Sequence, residues 1–241
     1  MSTIERPLGL GELLAETVRL YGERVRAVVG LGLFLAGSVV AADLTGHVVG
    51  FVTVFSLAFT AAYAAAARIV AGDRFAEACA QVGLRTPILL ALTIVVSVPF
   101  VLGRIDPVLV IFAVAWLAFV GFSIPVAMLE RDPDADVWYR RLGFILYRSV
   151  GLARVEYLHA LGIVAAFVIA YLLLAPVLAA LLVGFGENGR FTAFVIANGV
   201  IGPFFFLGLS VLYFEQKARM ALDDMPSETN SPASQQGEGR S

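Results

Sequence analysis

Apolar positions along this chain come in long runs, broken by short polar stretches. Six runs, at about 25–43, 47–70, 87–102, 107–129, 158–183 and 191–214, read as membrane crossings. A hydrocarbon core of ~30 Å takes ~20 apolar residues as helix. The strict alternation of a membrane strand is missing from these runs, so bundled helices are predicted rather than a barrel. Pro87 and Pro107 stand at the start of two runs, where a first helical turn needs no N–H from proline.

Three stretches between the runs show the helical period instead. In residues 8–22, Leu10, Leu13, Leu14, Val18 and Tyr21 fall on one face and Glu12, Glu16, Arg19 and Glu23 on the other. In 72–86, Phe75, Ala78, Cys79 and Val82 oppose Arg74, Glu77, Gln81 and Arg85, with Asp73 as N-cap. After the break at Asp132-Pro133-Asp134, a helix from about Asp136 sets Trp138, Leu142, Ile145 and Leu152 against Arg140, Arg141, Arg148 and Arg154. Each suits either the membrane surface or a solvated position packed on the bundle. The predicted fold is an all-α integral membrane protein with six transmembrane helices and three amphipathic helices on the cytoplasmic side. Residues 1–222 form the membrane domain; 223–241, rich in Ser, Gln, Gly and Pro, read as a disordered tail. The unit of one amphipathic helix and two spans recurs three times, without residue-level identity between the units.

Composition agrees with this pattern: the 241 residues are 59% hydrophobic and 15% charged, with mean hydropathy +0.87. Val40-Ala41-Ala42 resembles a signal-peptidase site, but the acidic amphipathic lead is no basic n-region, so cleavage is not expected. Cys79 is the only cysteine, which excludes an intrachain disulfide. Sixteen Arg against one Lys hint at a GC-rich bacterial genome.

Charge placement sets the orientation. Fifteen of the 17 basic residues lie before the first span, between spans 2 and 3, between spans 4 and 5, or after span 6; only Arg104 and Arg190 fall in the alternate loops. The positive-inside rule then puts both termini in the cytoplasm of a cell bounded by this plasma membrane. Arg140, Arg141, Arg148 and Arg154 become candidates for contact with anionic headgroups, against a plain role as topology determinants.

Candidate chemistry is sparse. His47 and His159 fall at opposite ends of the bundle, so no two-histidine metal site forms within one chain. Phosphate-loop, HExxH and Gly-x-Ser-x-Gly patterns do not occur. The span centres lack charged residues, and Asn198 is the one amide within a span. In Asn198-Gly199-Val200-Ile201-Gly202-Pro203 the proline frees a carbonyl about one turn earlier, and a broken helix of this kind can line a binding site. An interhelical hydrogen bond beside a proline kink explains the same residues. Ala58, Ala62 and Ala66, and likewise Gly162, Ala166 and Ala170, form small-residue stripes for close packing within the bundle or between subunits.

Three stretches carry a family resemblance: LGELLAETVRLYGERVRAVVGL near the start, Ile124-Pro125-Val126 with RRLGFILYRSVGL, and the closing PFFFLGLSVLYFEQKAR. Together, over 8–220, the chain resembles the membrane domain of bacterial glycerophosphoryl diester phosphodiesterase membrane-domain proteins. The resemblance implies a helical membrane part only. The catalytic barrel that can be joined to it in that family has no counterpart here, and the acid-x-Arg ending appears shifted, as Glu215-Gln216-Lys217-Ala218-Arg219. The expected function is that of a non-enzymatic scaffold, assembly partner or lipid-associated regulator, with a small-molecule or lipid transporter using the kinked sixth span as the alternative. Membrane lipids are the expected partners, then other membrane proteins or a second copy; no cofactor, metal or nucleic acid is expected.

Overall fold

A computed structural model describes residues 7–105, 109–130, 137–182 and 189–223. The break at 132–134, the first turn at Pro107 and the tail beyond Asp223 lie outside these residues. Among the described residues the chain is all helix: α1 Leu10–Glu23, α2 Val25–Asp43, α3 Val48–Val70, α4 Phe75–Leu84, α5 Thr86–Ile105, α6 Val110–Val120, α7 Ser123–Leu129, α8 Trp138–Val155, α9 Tyr157–Leu181 and α10 Gly189–Asp223. Four segments are long and apolar enough to cross a membrane: α2, α3, Ile111–Leu129 (α6 with α7) and Phe191–Leu222 of α10. Two further pairs qualify when each is counted as one broken span, α4 with α5 bent by 86° and α8 with α9 bent by 97°.

The apolar runs became helices at nearly the expected limits, because backbone groups without water must pair along their own segment. Run 4 breaks in two at Gly121-Phe122, and run 6 continues as helix to Asp223, well past Phe214. Turns fall where glycine permits a left-handed backbone: Gly46 (φ +66°) between α2 and α3, and Gly72 (φ +110°) between α3 and α4. Asp73 does not cap α4. It pairs with Arg68 at 2.7 Å across that turn, while Arg74 takes the N-cap position and its N–H donates to Glu77.

Two buried faces are rotated from those read off the sequence. In α1 the buried residues are Leu13, Thr17 and Leu20, while Val18 is 60% exposed. Thr17 can go inside because its hydroxyl donates to the Leu13 carbonyl at 2.8 Å. In α8 the buried set is Ile145, Ser149, Leu152 and Ala153, and Trp138 faces outward. Here Ser149 donates to the Phe119 carbonyl of α6 at 2.9 Å. A satisfied hydroxyl behaves as a small core residue, which hydrophobicity alone does not register.

α10 is the central post. α2, α3 and α9 pack along it, and α1 reaches it at two separated points. The Leu8 carbonyl, just ahead of α1, accepts from Arg219, and the Tyr21 hydroxyl donates to the Val200 carbonyl at 3.0 Å. Those two α10 positions are 19 residues apart, roughly 28 Å of helix, so α1 lies along the post rather than touching it once. Of the small-residue stripes, Ala58, Ala62 and Ala66 are buried inside the bundle. Gly162 and Ala170 of α9 face outward.

Candidate functional site

The Asn198–Pro203 segment sits in the middle of α10 and organises its surroundings. Pro203 has no N–H to offer the Gly199 carbonyl. That carbonyl lies against the backbone of Gly32 in α2, so close that a Cβ on Gly32 would stand 2.1 Å from the oxygen. One turn on, a Cβ on Gly202 would approach Leu35 of α2 to 2.8 Å. Gly32, Gly199 and Gly202 therefore let α2 and α10 cross almost backbone to backbone.

Beside this crossing lies a cavity of about 730 Å³. Its walls are apolar and largely aromatic, with Phe55 and Phe59 of α3, Leu117 of α6, Val168 of α9 and Phe194 and Phe205 of α10. Asp43, Gly46 and His47, from the end of α2 and the turn after it, line one end. The polar side chains farther in are Tyr171 and Asn198. Asn198 is 3% exposed; its amide N–H donates to the Phe194 carbonyl at 2.8 Å, and its Oδ1 accepts from the Tyr171 hydroxyl at 2.9 Å. These two bonds fix which way the amide points. Of the predicted kink residues, Asn198 and Gly202 line the cavity, whereas Gly199 faces α2 and Pro203 is buried next to it. Tyr171 was not singled out by the sequence, because its contact with Asn198 joins different helices.

A second polar grouping holds the other end of α10. The Glu215 side chain is fully buried; its carboxylate pairs with Arg219 one turn on, accepts from Gln216 at 3.0 Å and lies 3.6 Å from His159 Nε2. Arg219 also pairs with Glu156, at the α8–α9 bend. Two residues earlier on α10, the Tyr213 hydroxyl donates to Glu130 at 2.8 Å, and Glu130 pairs with Arg148 at 3.0 Å and Lys217 at 3.6 Å. Three carboxylates face three permanent cations here, a balanced set whose members satisfy one another. The sequence places Arg148 among the headgroup candidates and Glu215 and Arg219 in the family-like ending, and does not single out Glu130 or Glu156. Weak signals were the Tyr213/Lys217 and Glu215/Arg219 spacings of one helical turn.

The four arginines proposed to meet headgroups therefore divide. Arg140 and Arg154 are exposed, Arg141 is half-buried, and Arg148 turns in to Glu130 and to the sulfur of Met220 at 3.0 Å. Tyr147, 82% exposed, and Trp138 lie on the same helix, α8. On α1, Arg19 pairs with Glu16 and Glu23, and the Glu16 contact holds that carboxyl below its ordinary range. Among the described residues, no group of three His, Cys, Asp or Glu could hold a metal ion. No protein-family model matches the sequence, and comparison with curated proteins and with solved structures also finds no match.

Proposed function

We propose that this chain is a non-enzymatic bacterial membrane protein of six spans, with both termini cytoplasmic, that holds a lipid-like molecule in its interior. The cavity beside Asn198 carries the proposal: at about 730 Å³ it lies within the roughly 300–1,000 Å³ typical of ligand sites, and its walls are apolar. The acid and base groups of the inner end are committed to one another, which favours binding over chemistry. Counting α5 and α9 as the crossing parts of the two bent pairs brings the spans to six and leaves α4 and α8 at the cytoplasmic surface. There Arg140, Arg141 and Arg154, with Trp138 and Tyr147, suit anionic headgroups, each cation worth about 1 kcal/mol. Kinship with the glycerophosphoryl diester phosphodiesterase membrane-domain family fits a helical membrane part and adds no chemistry.

The test is to purify the full chain in mild detergent, extract it with organic solvent and identify what was retained by mass spectrometry. An apolar amphiphile near one per chain is expected, and Val52→Trp, which puts an indole into the cavity, should lower the amount retained. Equal retention by that variant, or turnover of a glycerophosphodiester by the wild type, would sink the proposal. Transport is the second reading, favoured by the position of Pro203 next to the cavity, where α10 lacks one backbone hydrogen bond.

A further inference from the structure

We infer that the ligand is a long-chain amphiphile whose polar group is uncharged and can both donate and accept a hydrogen bond, an alcohol in its simplest form, and that Tyr171 with Asn198 anchors that group. The inference rests on the cavity being a binding site and goes on to name the class of molecule.

The argument is one of remaining hydrogen-bond capacity. Asn198 uses one amide hydrogen on Phe194 and one Oδ1 lone pair on Tyr171; Tyr171 uses its only hydrogen on Asn198. What remains is one N–H donor on Asn198 and acceptor lone pairs on both side chains. A hydroxyl matches that set in both senses. An ether or carbonyl matches only the donor, and an alkane matches neither. A charged group fits poorly: among the described residues lining the cavity there is no Lys or Arg, and apart from Tyr171 the ionisable side chains are Asp43 and His47 at one end. A phosphate or carboxylate beside Asn198 would give up its hydration for a single amide N–H and no counter-charge. Six phenylalanines line the remainder and accept a chain of any saturation.

The experiment uses the full chain in nanodiscs and four probes of equal chain length: hexadecan-1-ol, its methyl ether, hexadecane and hexadecanoate at pH 8. Each is competed against radiolabelled hexadecan-1-ol by scintillation proximity. The alcohol should bind about tenfold more tightly than the ether, one neutral hydrogen bond's worth, and exceed the alkane by a wider margin, and the carboxylate should bind more weakly than the alcohol. The double variant Asn198→Leu with Tyr171→Phe should reduce the alcohol's advantage, read as the ratio of alcohol to hexadecane affinity within that same variant. The probe series needs no variant, so the idea stays testable if that protein does not fold. Carboxylate binding as tight as the alcohol, or alcohol and alkane binding equally, would overturn the inference while leaving the cavity a lipid site. Binding of none of the four would overturn both.

Discussion

Replacing Gly32 by alanine adds one methyl group where α2 and α10 cross. The new carbon would lie 2.1 Å from the Gly199 oxygen and 3.5 Å from Pro203 Cγ. The oxygen belongs to the backbone, so relief requires the helices themselves to separate. Overpacking of this kind costs about 1–3 kcal/mol. Against that, any helical Gly→Ala change gains up to about 1 kcal/mol from propensity. Gly37, five residues along the same helix, supplies the control, since a Cβ there meets nothing within 4 Å. The propensity gain cancels between the two variants, and the difference isolates the crossing. Equilibrium unfolding in mixed micelles of mild detergent and SDS should show Gly32→Ala less stable than Gly37→Ala by about 1–3 kcal/mol. If the two coincide within error, α2 and α10 do not meet as described, and the cavity wall that depends on their crossing goes with it.

Glu215→Ala should cost about 3 kcal/mol, the low end for removing one member of a buried pair, because Arg219 keeps Glu156; the same unfolding assay measures it. Glu16→Gln should change stability by less than about 1 kcal/mol at pH 7, as surface pairs do. Since the folded carboxyl of Glu16 is lowered, its small contribution is present above the ordinary carboxylate range and fades as pH falls through the folded value; a pH series on the wild type and the variant checks the sign. Cys79 is exposed, but partial desolvation raises its thiol, so maleimide labelling should be slower at pH 7 than for a free thiol and accelerate with rising pH. As the sole cysteine, it should be labelled by an impermeant reagent in inside-out vesicles and spared in intact cells; the reverse would invert the topology.

What could be read from the chain follows from which contacts are local. The limits of α2 and α3 were legible almost to the residue, because an apolar run in lipid pairs its backbone only with itself. Pro203 and Asn198 announced a special place in α10, since a missing N–H and a lone amide are visible in one dimension. The faces of α1 and α8 were misjudged at Val18 and Trp138, because hydroxyls of Thr17 and Ser149 became buried by bonding to nearby carbonyls. Tyr171, and the meeting of Glu130, Glu156, His159 and Glu215, were beyond reach. Tyr171 and Asn198, and likewise Glu130, the neighbouring Glu156 and His159, and the end of α10, are tens of positions apart, and only the stacking of helices around α10 brings them together.

The Glu215 end of α10 has a consequence for how the protein is made. Glu156 and His159 emerge from the ribosome well before α10, yet their described ion partners, Glu215 and Arg219, both belong to that helix. A nascent chain halted after α9 would hold a carboxylate and an imidazole at the bend with no counterpart. Synthesis of α10 supplies both partners, and its Glu215, Lys217 and Arg219 together bring one net positive charge to the net negative charge of Glu130, Arg148 and Glu156. Completion of the last helix thereby closes the charge balance of this grouping, which a chain truncated before α10 leaves one positive charge short.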